Sequence, residues 1–377
     1  MIFQHKAFLI FIVCIAASMF VSWAYLSIER KVHINSIQDQ GNRLVFLDGL
    51  RGIASVFVLA NHSVYMFKSN GIKLENINYS DYSMVGQFGA FGVQVFFCLT
   101  GFLFFSKIIN QSNRLKIIPF ISARVKRLFP AYIFSTLVVI ILAFVITGKY
   151  SIYENINSIL KMFSFGFLGN RVPINGWSTY TLRAEVWTLP YEWMFYGFIL
   201  LIGITYKLKA IRYSLILLTL YVIFFKIDGW VLWPHFFTGL IAAIIVKNIS
   251  HIKKINDNHY FLSIILFFIV FASICYNSKM YTMDKYILAS IVFLFVVISK
   301  PKILNNKYLV FIGDYSYSLY LMHLPIFAVI LRPLNKLVEL NKINEIEYLI
   351  MIFITSIFSS LISIFVYKKI EMMLSNK

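Results

Sequence analysis

Charge is scarce in this chain, and acid is scarcer than base. Only 14% of its 377 residues are charged, 16 Asp+Glu against 35 Lys+Arg. Soluble domains carry about 25% charged residues, so a soluble globular domain is excluded. With 59% hydrophobic residues and a mean hydropathy of +0.76, the chain also has too much apolar surface for disorder. Cysteine is nearly absent: Cys14, Cys98 and Cys275 fall in separate apolar runs and out of CxxC spacing. Neither a disulfide framework nor a metal site follows from them. No repeat, low-complexity tract or appended soluble domain is visible. The net charge of +19 suggests nucleic acid at first sight. Most basic residues, however, lie between long apolar runs, where a polytopic membrane protein keeps them, so no nucleic-acid partner is expected.

A lipid core about 30 Å thick needs roughly 17–25 apolar residues per helix. The hydropathy pattern predicts an all-α, polytopic membrane bundle of about eleven spans: 7–28, 49–67, 89–107, 129–147, 187–205, 212–227, 231–247, 260–276, 285–299, 314–331 and 347–367. The stretch 155–168 is too short to cross and reads as an interfacial or re-entrant piece. One alternating set of loops holds 22 of the 35 Lys and Arg residues, which predicts an N-terminus outside and a C-terminus in the cytoplasm. Arg30, Lys31, Arg43 and Arg51 favour an uncleaved first helix over a signal peptide. Residues 1–43 are therefore expected to be an anchor and basic linker, and 44–370 the main membrane domain, of about ten helices.

The few polar groups left within apolar spans define a candidate site. Glu192 is the one acidic residue inside a span; His62 and His323 are also well inside, and His235 is near one end. Ionised groups at the bilayer centre cost roughly 2.5–3.5 kcal/mol and normally face a cavity or a bundle interior. A rise of about 1.5 Å per residue puts His62, Glu192 and His323 in the middle-to-outer half of the membrane, where they could share a cavity. Arg51, Ser55 and His62 share one helix face, as do Thr188, Glu192 and Tyr196, and Ser316, Tyr320 and His323. For Ser55, Thr188 and Ser316 alone, plain interhelical hydrogen bonding is the simpler reading. The loop 107–128 carries six cations and ends Arg124-Val125-Lys126-Arg127. Beside Arg51, it makes a receiver for a polyanionic phosphate ligand, beyond ordinary positive-inside bias.

Five blocks between about 48 and 330 resemble the membrane-bound acyltransferase-3 family. They are Leu47-Asp48-Gly49-Leu50-Arg51-Gly52-Ile53-Ala54 running to His62; Phe96-Phe97-Cys98-Leu99-Thr100-Gly101-Phe102-Leu103; and Phe120 through Arg124, Arg127, Pro130 and Tyr132. The others are Trp187-Thr188-Leu189-Pro190-Tyr191-Glu192-Trp193-Met194-Phe195-Tyr196, and Gly313, Ser316-Tyr317, Tyr320-Leu321, His323 and Pro325-Ile326. Gln94 departs from the family, which commonly has an acid there, and an extra helix precedes the usual first one.

The resemblance implies transfer of an acyl group, usually acetyl, from cytoplasmic acyl-CoA to a hydroxyl of an extracytoplasmic or lipid-linked glycan, such as O-antigen or exopolysaccharide. It implies a multi-pass protein of the bacterial inner membrane, in contact with membrane lipid and using acetyl-CoA without a metal. CoA phosphates would rest on Arg51, Arg124 and Arg127 with Lys126 near. His62 would act as general base or acyl carrier, and Glu192 would hold the imidazolium or orient the acceptor. Ser316, Tyr317, Tyr320 and His323 would line the substrate pocket. Tyr150, Tyr153, Trp177 and Tyr180 could stack on sugars, although interfacial anchoring suits them as well. Nothing soluble follows residue 367, so a stand-alone enzyme is expected. A proton-coupled transporter using Glu192 and His62 as a relay is the chief alternative, and a scaffold of a glycan-assembly complex is another.

Overall fold

The computed structural model describes residues 2–32, 44–72, 84–110, 116–205, 208–225, 232–249, 279–338 and 343–375, with a few more between 261 and 270. Most of the span expected at 260–276, and the linker 33–43, lie outside the described residues. Among the described residues, the regular structure is helical apart from one hairpin of two-residue strands. Five helices among the described residues are long and apolar enough to cross a membrane, at 6–29, 85–110, 117–147, 316–337 and 345–371.

The first four helices are α1 (Ile2–Val32), α2 (Val45–Ser69), α3 (Val85–Asn110) and α4 (Ile117–Thr147). The last of these starts twelve residues before the expected span, so Arg124, Lys126 and Arg127 ride on a helix rather than a loop. Lys and Arg are good helix formers, and hydropathy registers where lipid contact starts, not where helical bonding does. Next come α5 (Ile152–Met162), β1 (Pro173–Ile174), β2 (Trp177–Ser178) and α6 (Tyr180–Arg183). A 3-10 segment, Ala184–Thr188, leads into α7 (Leu189–Ile204), followed by α8 (Lys209–Phe225) and α9 (Trp233–Ile249). Then come α10 (Met283–Ser299), α11 (Lys307–Asp314), α12 (Ser316–Val338) and α13 (Glu345–Val366), the last continued by helical turns at Tyr367–Glu371 and Met372–Ser375.

The expected short piece at 155–168 is α5, capped by the Ser151 side chain and exposing Ile152, Tyr153, Ile156 and Leu160. That is the pattern of a helix lying along an interface. The hairpin turns on Asn175-Gly176, both at positive φ (50° and 76°), as a tight two-residue turn requires.

At the centre, α2 packs against α3 and α11, α3 against α9, and α12 against α2 and α13. Glycine permits the closest of these contacts. A Cβ on Gly52 would lie 2.3 Å from the Leu309 carbonyl oxygen, and one on Gly313 2.0 Å from that of Asp48. Small residues are what let membrane helices approach so closely. They bring Arg51 and Ser316, at neighbouring helix starts, to the same end of the bundle.

The first helix is docked on this core. Its buried stripe Ala7, Ile10, Cys14, Ala17 and Val21 recurs at helical spacing. Ser360 bonds to Ser18 at 3.2 Å, Ser356 to Cys14 at 3.6 Å, and Lys368 pairs with Glu29 at 3.0 Å.

Candidate active site

Two adjoining cavities open between α2, α3, α4, α7 and α12. The outer one, of 580 Å³, is bordered by Asp48, Asp314, Glu371, Arg51, Arg124 and Arg127. The inner one, of 290 Å³, shares Arg51, Leu99, Leu103, Arg124 and Arg127 with it and runs on to Thr188, Glu192, Tyr196, Ser316, Tyr317 and Tyr320. The shared arginines make the two cavities consecutive chambers of one passage. Seven residues expected from the sequence thus meet in one place: Arg51, Arg124, Arg127, Glu192, Ser316, Tyr317 and Tyr320. Lys126 is exposed and lines neither chamber; Lys107, one of the six cations of the basic stretch 107–128, lines the inner one.

The three arginines are held differently. Arg51 is paired with Asp48, with its Nε buried and unbonded. The Arg124 guanidinium stands 5.1 Å from the centre of the Phe104 ring and 6.0 Å from that of Tyr196. Such stacking holds a guanidinium in place while leaving its N–H edge for an anion. Arg127 has no hydrogen bond or ion pair among the described residues. Glu192 accepts a hydrogen bond from the Tyr196 hydroxyl one turn along α7, so the expected stripe on that helix is real. Ser316 spends its hydroxyl on the Gly313 carbonyl (2.8 Å) and Ser55 on Gly52 (2.8 Å), the structural use expected of them.

The histidines lie beyond the inner chamber. His62 Nδ1 and His323 Nε2 are 2.6 Å apart, with nearly parallel rings. His323 Nδ1 is 2.9 Å from the Leu319 carbonyl oxygen, which can only accept. Nδ1 of His323 therefore carries the proton, and its Nε2 accepts from His62 Nδ1–H when both rings are neutral. The lone pair on His62 Nε2 is left uncommitted.

Between this pair and the chamber stands Tyr320, three residues before His323, with its ring 6.5 Å from the His323 ring. Its hydroxyl makes 2.7 Å contacts with the Thr188 hydroxyl and the Glu185 carbonyl. Thr188 and Tyr320 close the inner chamber on the histidine side.

Glu192 was expected beside His62, and the structure places it with the arginines instead. The reason lies in the 3-10 segment Ala184–Thr188. It enters the bundle as packed turns, so α7 begins level with Tyr320 and carries Glu192 about 6 Å further from the histidines. Nor is Glu192 the most buried acid: it is partly buried, whereas Glu185 is 2% and Glu371 6% exposed. Ser318 donates to Glu371 at 2.8 Å, while Oε2 of Glu185 has no partner. The isolation of Glu185 in the polar-looking run Arg183-Ala184-Glu185 hid it from a hydropathy reading. Among the described residues, no three His, Cys, Asp or Glu side chains gather into a metal-binding group.

The acyltransferase-3 model, described as an acyltransferase domain, matches residues 44–368. The chain belongs to this family. Among curated proteins it is similar to the O-acetyltransferase OatA of Staphylococcus aureus strain NCTC 8325 / PS 47, with 24% identity over 357 residues. OatA of strain MRSA252 matches to the same extent. Each alignment covers 84% of this chain and 55% of the relative, so the chain spans about half the length of the curated relatives it matches. No solved structure matches. Family and helices together describe a multi-pass membrane protein of the acyltransferase-3 family.

Proposed function

We propose that this acyltransferase moves an acetyl group from acetyl-CoA to a hydroxyl of a glycan, on the far side of the membrane or linked to lipid. The observation that carries the reading is the arrangement of the two ends: a passage ringed by arginines stops at Tyr320, and just past that point a histidine pair leaves one imidazole nitrogen unbonded.

Phosphates of CoA suit the outer chamber, where Arg124 and Arg127 have no carboxylate bonded to them and Arg51 is steadied by Asp48. The pantetheine arm would follow the inner chamber toward Tyr320, with Glu192 and Tyr196 positioning Arg124. For the thioester to meet His62, the Tyr320–Thr188 contact must open. His62 Nε2 then takes the proton of the acceptor hydroxyl while the hydroxyl oxygen attacks the thioester carbonyl. The C–S bond breaks and the CoA thiolate leaves, to be protonated to the thiol. His323 takes the role expected of Glu192, since it fixes the His62 tautomer and shares the charge that forms. If His62 instead attacks the thioester, an acyl-imidazole forms first, and a burst of free CoA before any acceptor is added would reveal it. An inner-membrane location in a bacterium accords with a cytoplasmic donor.

The test is acetyl transfer from labelled acetyl-CoA to surface glycan by the purified full chain. Label appearing on glycan only when acetyl-CoA is present supports the reading; movement of solute without transfer would favour a transporter.

A further inference from the structure

Past His62, at the end of the bundle opposite the arginine chamber, lies a second group of cations. The Arg171 guanidinium is 4.9 Å from the centre of the Tyr180 ring, and that of Arg332 is 5.0 Å from the Trp177 ring. Tyr180 meets Tyr65 edge-on at 6.4 Å, and Tyr65 meets His62 at 6.4 Å. Arg332 is about 24 Å along α12 from Ser316 in the inner chamber, so neither guanidinium can serve the donor mouth.

Three features set this group apart from a decorated surface. Neither arginine has an acidic partner among the described residues, and Nε of Arg332 is buried with no acceptor. The hairpin that presents Trp177 is pinned: Asn155 and Asn175 exchange bonds of 2.7 and 2.8 Å, and Asn175 also donates to Thr147 and to the Lys149 carbonyl, each at 2.8 Å. Finally, the charge bias that gathers basic residues at one membrane face gives no reason for guanidiniums at the other end from Arg51, Arg124 and Arg127.

We propose that Arg171 and Arg332, with Trp177, Tyr180 and Tyr65, form an acceptor subsite for an anionic sugar. Aromatic faces receive the ring, and the guanidinium edges receive a carboxylate or phosphate near the hydroxyl presented to His62. A neutral sugar offers the buried Nε of Arg332 only a hydroxyl oxygen, whereas a carboxylate or phosphate gives both guanidiniums charge-assisted bonds, which are roughly twice as strong. The reaction that follows rests on the acyl-transfer reading, but the binding does not.

Titration calorimetry on the full chain in nanodiscs at low salt, with galacturonate, galactose 1-phosphate and galactose as probes, tests this. At least one charged sugar should bind about tenfold or more tightly than galactose, and the better one identifies carboxylate or phosphate as the recognised group. Arg171→Gln and Arg332→Gln should each remove most of that preference, and Arg332→Lys should restore part of it. CoA affinity on the same samples checks that the variants are folded. Galactose binding as well as both charged sugars, no binding of any of the three, or a preference that survives in the double variant would overturn the subsite. Wild-type protein that prefers charged sugars yet neither binds CoA nor transfers acetyl would overturn the acyl-transfer reading and leave the subsite standing.

Discussion

The arginine end and the histidine end of the molecule handle polar groups in opposite ways. At the arginine end, cations border open chambers and are steadied by rings or by one carboxylate, with hydrogen-bonding capacity to spare. At the histidine end, two imidazoles lock each other through a 2.6 Å contact, and a backbone carbonyl fixes the proton. The first arrangement suits binding a flexible polyanion; the second suits orienting one nitrogen for proton transfer. Tyr320 is the divider, and its hydroxyl is anchored to the turn that launches α7.

If the two ends divide the work in this way, mutations should separate rate from affinity. The largest effect after loss of the base itself is expected at His323. His323→Leu removes the acceptor that fixes the His62 tautomer and should lower acetyl transfer about 10²-fold with CoA affinity unchanged. His323→Gln, which can still accept from Nδ1–H, should recover much of it. At the other end, Arg124→Ala and Arg127→Ala should each raise KM for acetyl-CoA about tenfold, the scale of one lost charge-assisted bond, with little change in kcat. An Arg124→Ala chain that loses kcat and keeps KM would blur the distinction. A smaller effect, about two- to fivefold in kcat, is expected for Tyr320→Phe, which frees the ring from Thr188 and Glu185 while keeping its bulk.

Much of this was legible in the sequence, and the exceptions share a cause. Apolar runs announced the membrane helices, and helix periodicity found the Glu192–Tyr196 pair and the face shared by Arg51 and His62. Periodicity says which residues share a face; it does not say where along a neighbour that face will dock. Depth counting assumed that α7 starts at the membrane boundary, so it placed Glu192 beside His62. The inward 3-10 segment, invisible to hydropathy, moves Glu192 to the arginines and leaves His323 as the partner. Asn175-Gly176 carried a plain turn signal, but within a loop read only for aromatics its hairpin, and the cluster around Trp177, went unnoticed. A basic run alone does not tell which of its cations face one ligand, which is why Lys126 differs from its neighbours. On the turns of α4, Arg124 and Arg127 face the chamber and Lys126 faces away.

The most direct test of the central claim takes His62→Gln in the purified full chain and measures CoA binding and acetyl transfer on one sample. The account predicts a CoA dissociation constant within about twofold of wild type and transfer reduced by at least about 10²-fold. Transfer at the wild-type rate, or a loss of CoA binding that accounts for the lost transfer, would contradict it.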